Sequence, residues 1–308
     1  MSSLGGYAMK RVFGRLAVLI LLLLPMHVHA WNKTGHFVVA SIAYDNLTAS
    51  TKMRVDALLA QHPDFPKWTM GIPAAHKGKT AFVRASAFPD DIKSDPRFFD
   101  AGDPPTPEIP GLPVGSNKRN REWHFTNVPF TIDNTPTVPP PMPNALTKLQ
   151  DFESLGIFQT QMQVFVLPWL IHLAGDVHQP LHTLALFRQD LPNGDRGGND
   201  IQMLGGGNLH AFWDDRMGTI TSNNFIAQTV TTITSRHPKP SQISTDPAVW
   251  IQDSVEQRFF VYSFSGKGTS QDKAILSPNY SLNAKLLAFE RAALAGYLLA
   301  EFLNQKLP

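Results

Sequence analysis

The 308 residues contain no cysteine, which excludes disulfide cross-links, thiolate metal sites and thiol nucleophiles. The core can suffice at this size, and a structural metal held by nitrogen and oxygen is the natural substitute staple. A cationic excess is missing too. Of the 27 Lys and Arg, Lys10, Arg11 and Arg15 fall in the first thirty residues, and the rest of the chain carries a net charge of −1 against 25 Asp and Glu. A broad basic surface that binds nucleic acid through charge alone is thereby excluded. Beyond the first thirty residues no apolar run approaches the ~20 residues needed to span a bilayer, so no membrane span is expected after processing.

The first thirty residues have the layout of a secretory signal peptide: the three basic residues, an apolar run over 16–24, a break at Pro25, and Val28-His29-Ala30 as a small-residue cleavage site. The expected organisation is a signal peptide over 1–30 and one domain over 31–308, secreted or periplasmic after cleavage, with Trp31 as the new N-terminus. Overall, 43% of residues are apolar and 17% charged, a globular composition.

Apolar residues recur at three-and-four spacing over 37–59, over 145–174 and in an Ala/Leu-rich stretch over 283–307, while strand-like alternation is scarce. Proline- and glycine-rich loops separate these stretches, chiefly 102–143 with its Val-Pro-Pro-Pro-Met-Pro run, and 191–207 with Gly197-Gly198 and Gly205-Gly206-Gly207. The expected fold is all-α, a single-domain multi-helix protein whose long loops carry function.

Within the helical stretches, His172-Leu-Ala-Gly-Asp176 and His210-Ala-Phe-Trp-Asp214 each set an imidazole and a carboxylate four residues apart. On a helix such a pair shares one face and can reach one ion. A set of imidazoles and carboxylates without thiols favours zinc, although manganese, iron and nickel accept the same donors. Nine histidines follow residue 30. His36, His124, His172, His182 and His210 stand in motif-like contexts; His62, His76 and His237, beside proline or lysine, read as surface residues. Spacing alone does not choose between His178 and His182 as a companion of Asp176. Signal cleavage would expose the Trp31 amine five residues ahead of His36. Either its amine and carbonyl chelate an ion, or Trp31 is a buried residue packing against a helix.

Trp31, Gly35-His36, Ala87-Phe88-Pro89-Asp90, Trp123-His124-Phe125, His172-xxx-Asp176, Pro180-Leu181-His182, Gly197-Gly198-Asn199 and Asn208-Leu209-His210-xxx-Asp214 occur in one order. That order resembles the zinc-dependent type I nuclease and 3'-nucleotidase family, the mung-bean-nuclease-like or S-one/P-one nucleases, over 31–214 and less specifically through the C-terminal helix. The resemblance implies the phospholipase C/nuclease-like fold and three Zn2+ ions. The first would be held by Asp90, His124, His172 and Asp176, the second by His182, His210 and Asp214, and the third by Trp31, His36 and a bridging Asp176. It thus selects His182 over His178.

By the same resemblance the substrates are single-stranded DNA or RNA, cut to 5'-nucleotides, and 3'-nucleotides, which are dephosphorylated. Phe125 would stack on a base, Asn199 would read its edge, and the Arg196-Gly197 backbone would form the opposite wall. Beside Asp90, the catalytic neighbourhood departs from the fungal pattern at two positions: Asn127 stands where an Asp is usual and Lys93 where an Arg is usual. Lys93 still offers a point charge but not the planar fork of arginine. The alternative enzyme is a zinc phospholipase C, and the non-enzymatic alternative a secreted zinc-binding protein. No stable protein partner is implied, and monomer is the default.

Overall fold

The computed structural model describes residues 31–308; the expected signal peptide lies outside them. Helices dominate, as the periodicity predicts, but two of the three periodic stretches are broken. The 37–59 stretch forms Lys33–Asp45 and Ala49–Leu59. The break comes where Thr48 leaves the helix and its hydroxyl accepts from Thr51 N–H at 3.1 Å, capping the second helix. The 145–174 stretch forms Ala145–Asp151, a 3-10 segment Phe152–Ile157 and Thr160–Asp176. Its first piece starts with a reciprocal capping box between Asn144 and Thr147. Gly156, within the 3-10 segment, lies where the last turn of the C-terminal helix approaches: a Cβ there would sit 2.4 Å from the Lys306 carbonyl oxygen. The C-terminal helix, Pro278–Lys306, begins ahead of the apolar pattern because Ser277 caps it and Pro278 occupies its first turn.

Thr160–Asp176 is the axis of the molecule. Every residue from Gln163 to Asp176 is buried, as expected of a helix that is apolar all round and covered on all sides. Around it pack Lys33–Asp45, Ala49–Leu59, the C-terminal helix and the short Phe88–Asp91 turn of helix. Leu167, Trp169, Leu170, Ile171 and Leu173 share the main core with Phe82, Phe88, Trp250 and Phe302. Each large side chain so buried contributes roughly 1.5–3 kcal/mol. The last turn of the axis, His172 to Asp176, is therefore held rigidly inside.

Two short strands, Val128–Thr131 and Leu184–Phe187, pair in parallel with Val128 opposite Leu184. They fasten the segment after His124 to the segment after His182, helped by Thr126 N–H donating to the His182 carbonyl at 2.8 Å. No helix among the described residues is long and apolar enough to cross a membrane.

One surface assignment is corrected. His76 is exposed and His237 half-buried, but His62 is buried, its ring stacked on Trp68 at 4.5 Å and edge-on to Phe88 at 4.9 Å. Its Nδ1 accepts from Asp64 N–H at 3.1 Å, and burial pulls its pKa down to about 4.

Candidate metal centre

The inner end of the axis and the segments around it converge on one buried cluster. His172 and Asp176 lie on one face of the axis, as their spacing predicts, with His172 Nε2 3.0 Å from Asp176 Oδ2. The 3-10 turn Arg121–His124 brings His124 Nδ1 to 3.1 Å from the same oxygen. The first helix brings His36 to the other side, its Nε2 3.3 Å from Asp176 Oδ1. The two oxygens of Asp176 thus face two different histidine groups, the arrangement a bridging carboxylate needs. Asp90 stands 3.9 Å from His36, His124 and His172, and its Oδ1 accepts from Lys93 Nζ at 2.6 Å. A second group, His182, His210 and Asp214, comes from the short helices Pro180–Thr183 and Leu209–Asp214.

Glycine makes the close approach possible. A Cβ on Gly175 would lie 2.9 Å from His36 Nδ1, and one on Gly35 would lie 2.7 Å from Trp31 Cβ. Trp31 is fully buried and packs with Val38, Val39, Ile42 and Met217. Asn32 anchors this end: its side chain caps the first helix at Thr34 and Gly35 and donates to Asp215 Oδ1 and to the Gly218 carbonyl, both at 2.7 Å. The N-terminal segment is thereby tied to the turn that follows Asp214.

Hydrogen bonds fix which ring nitrogen is free. Nδ1 of His172 donates to the Ser86 carbonyl at 2.7 Å, Nδ1 of His182 to the His124 carbonyl at 2.6 Å, and Nδ1 of His210 to the Gly197 carbonyl at 2.6 Å. In its neutral form each ring would present an Nε2 lone pair to the cluster, the arrangement that orients imidazole for a metal. His182 Nε2 and His210 Nε2 lie 3.1 Å apart. Two lone pairs at that separation repel unless a cation or proton lies between them, and ligand atoms on one tetrahedral zinc are spaced about this far apart.

Burial lowers His36 to about 4, helped by His172; His124 to about 3, helped by Lys93; and His210 to about 3, helped by His182; it lowers His182 as well. Burial opposes protonation of His172 too, but Asp176 and Asp90 outweigh it and raise its pKa above the usual value. Burial works against ionisation of Asp176 as well, yet His172 and His182 hold its carboxyl well below the usual range. At Asp214 burial prevails and pushes the carboxyl well above that range, although Gln179 Nε2 donates to its Oδ1 at 2.8 Å. His36 Nε2 and Asp176 Oδ1, which face each other at 3.3 Å, are buried without hydrogen-bond partners. Such orphaned atoms are costly in a protein interior, and a divalent cation satisfies them. The donor set therefore fits metal, in the groups His124–His172–Asp176, His182–His210–Asp214 and His36–Asp90–His172. His172 occurs in two of these and can serve only one ion.

The remaining anticipated residues border this cluster or its supporting loop. Lys93 is buried against Asp90. Phe125 is half-buried and belongs to none of the three apolar cores. Asn127 holds a left-handed backbone, φ 52°, just before the first strand. Asn199 donates to the Arg196 carbonyl at 2.7 Å while its Oδ1 is buried without a partner. The Arg196 guanidinium is paired with Asp200. His178 belongs to none of the three donor groups; its Nδ1 bonds the Ala174 carbonyl at 2.7 Å, and its ring lies 5.8 Å from Trp250. Sequence reasoning missed Gln179, which holds Asp214, and the pair Asp195 and Tyr262 behind the Gly197 loop. A cleft of about 400 Å³ lined by Phe37, Ser41, Val83 and Ile226 contains none of these groups, so donor chemistry locates the site and cavity size does not.

A family description, S1/P1 nuclease, matches residues 31–308, from Trp31 through the last helix. A curated relative, Endonuclease 3 of Arabidopsis thaliana, is 26% identical over 211 residues, covering 65% of this chain; the chain spans 58% of that protein's length. The family match takes in every segment that builds the buried histidine–aspartate cluster, and the chain belongs to the S1/P1 nuclease family.

Proposed function

We propose that residues 31–308 form a zinc-dependent phosphodiesterase that cleaves single-stranded DNA or RNA to 5'-nucleotides and dephosphorylates 3'-nucleotides. The observation that carries this reading is the split Asp176 carboxylate between two groups of free imidazole nitrogens, beside a third group with converging lone pairs. Three Zn2+ would be held by Asp90, His124, His172 and Asp176; by His182, His210 and Asp214; and by Trp31, His36 and Asp176. Ions so placed would supply Lewis acidity, bringing the pKa of a bound water down to about 7 and neutralising phosphate charge.

The chain's own groups do the rest. Gln179 and the backbone carbonyls of Ser86, His124 and Gly197 hold the ligands in register. Lys93, whose ammonium lies 2.6 Å from Asp90 Oδ1, would offer that charge to a phosphate oxygen. Phe125, outside the apolar cores, supplies a stacking face worth about 1–3 kcal/mol per base, which a base within a duplex cannot reach. Asn199, held by the Arg196 carbonyl, would read a base edge. Asn127 and Lys93 replace a carboxylate–guanidinium pair with a neutral amide and a point charge, which should alter substrate preference and pH optimum. Residues 1–30 would be removed on export, leaving a secreted or periplasmic monomer whose Trp31 amine joins the ligands.

The test is hydrolysis of heat-denatured DNA by the chain beginning at Trp31, zinc-loaded and chelated, with phosphatidylcholine as parallel substrate. Zinc-dependent release of 5'-nucleotides is the expected result. Cleavage of the lipid alone would replace the substrate with that of a phospholipase C. Inactivity on both, with zinc bound, would leave a zinc-binding protein.

A further inference from the structure

Behind the loop of Arg196, Gly197 and Asn199 lies a carboxylate outside the ligand set. Asp195 is fully buried. Its Oδ1 accepts from Leu186 N–H at 2.9 Å and Gly197 N–H at 3.1 Å, and its Oδ2 from Gly198 N–H at 2.9 Å and the Tyr262 hydroxyl at 2.6 Å. All four partners are donors, so the site is built for an anion. The backbone beside it has three successive left-handed residues, Arg196 at φ 52°, Gly197 at 65° and Gly198 at 78°. Such a run turns adjacent N–H groups to one side and creates an anion-binding concavity. Here the chain fills it with its own side chain, and those bonds offset the roughly 1–2 kcal/mol that a left-handed arginine costs.

Two functional groups depend on this turn. The Gly197 carbonyl accepts from His210 Nδ1 at 2.6 Å, and the Gly198 carbonyl from His210 N–H at 3.3 Å. On the other side, the Arg196 carbonyl holds the Asn199 amide at 2.7 Å. One turn therefore orients both a metal-facing imidazole and the amide placed to read a base.

We propose that Asp195, anchored by Tyr262, is a positioning residue that sets His210 for its ion and Asn199 for the nucleobase, coupling the two through the Arg196–Gly197–Gly198 turn. The base-reading half rests on the nuclease function proposed above; the metal half needs only the cluster. Asp195→Asn puts an NH2 where one acceptor stood and strands a backbone donor. Tyr262→Phe keeps the carboxylate and removes one bond.

The experiment titrates the metal-free chain beginning at Trp31, and both variants, with zinc by calorimetry. It then compares KM for a single-stranded oligonucleotide with KM for bis(4-nitrophenyl) phosphate, which has no base. Asp195→Asn should weaken one class of zinc site about 10- to 100-fold while leaving the others within about twofold. It should also raise KM for the oligonucleotide more than for the aryl diester. Tyr262→Phe should act in the same direction but less, and carries the test if Asp195→Asn does not fold. Wild-type zinc binding and an unchanged KM ratio in both variants would overturn the proposal. So would a uniform loss at all zinc sites that tracks a fall in the melting temperature of the metal-free chain, since that is a merely structural role. A wild-type chain inactive on DNA, combined with site-selective zinc loss in the variants, would remove the nuclease function and leave the His210 coupling standing.

Discussion

Gly175→Ala sets helix propensity against the metal cluster. Gly175 is inside the axial helix, where alanine is favoured by about 1 kcal/mol. An added Cβ would lie 2.9 Å from His36 Nδ1 and 3.2 Å from Cε1, against an ordinary contact of about 3.5 Å. The imidazole must therefore move by roughly half an ångström. It cannot recede freely, because it is fully buried and stacks at 4.0 Å on His172, which Ser86 holds in turn. The displacement is then taken up at the Asp176 Oδ1 side, where His36 Nε2 stands at 3.3 Å. Misplacement by about 1 Å at a reacting centre costs about 100-fold, so a loss of at least about tenfold in kcat/KM on denatured DNA is expected. Metal per chain, measured by atomic emission after dialysis, should fall, while the melting temperature of the metal-free protein changes little because propensity and clash oppose each other. Wild-type metal content with activity within about twofold of wild type would refute the claim that the glycine exists for His36.

Three other perturbations test the surrounding structure. Gly197→Ala would place a Cβ 2.2 Å from the Leu181 carbonyl oxygen at a φ of 65°, so about 2 kcal/mol or more of stability should be lost in urea unfolding, through strain and clash together. Burial raises the Asp195 carboxyl to about 6 against the donation of Tyr262, Leu186, Gly198 and Gly197. Because its folded pKa lies above the unfolded value, Asp195 should favour folding by up to about 3 kcal/mol as pH falls from 7 through 6 toward 4. Protonation removes an acceptor from the turn, so activity should fall over the same range; a thermal-melt pH profile identical in wild type and Asp195→Asn would contradict this. Finally, one extra residue before Trp31 converts its amine to an amide, and should lower both activity and bound zinc; full values of both would eliminate the amine as a ligand.

How much of this could be read from the sequence follows the range of each interaction. His172–Asp176 and His210–Asp214 are contacts within one helix, so their spacing sufficed. The choice between His178 and His182 depends on which ring faces inward, and spacing does not encode that. His178 turns to a carbonyl one turn back, whereas Pro180 opens a new short helix that directs His182 to the cluster. The break at 46–48 was hidden because apolar residues keep helical spacing across it, and the polar cap residues Asn46 and Thr48 were the available signal. His62 sits in a Pro-rich context typical of surface loops, yet Trp68 and Phe88 enclose it. Asp195 and Tyr262 are 67 positions apart and Gln179 and Asp214 35 apart; a single side-chain bond over such distances leaves no periodic trace.

The weak surface charge and the buried cluster bear on one problem. A chain with a net charge of −1 beyond residue 30 does not attract phosphate by its side chains, and its centre buries Asp90, Asp176 and Asp214 with Lys93 as the adjacent cation. Divalent ions would correct both, reversing the sign of the centre where, under the proposed function, a phosphate binds. They should also stabilise the fold, because the unfolded chain presents no preformed site. For free ion at about a thousand times its dissociation constant the gain is about 4 kcal/mol, or roughly 10 °C in melting temperature for a domain of this size. Differential scanning calorimetry before and after exhaustive chelation should show that drop, with recovery when zinc is restored. Equal melting temperatures, with metal removal verified by atomic emission, would mean that the orphaned His36 nitrogen and the Asp176 carboxylate are satisfied without cations, and the electrostatic basis for phosphate binding at this centre would fail.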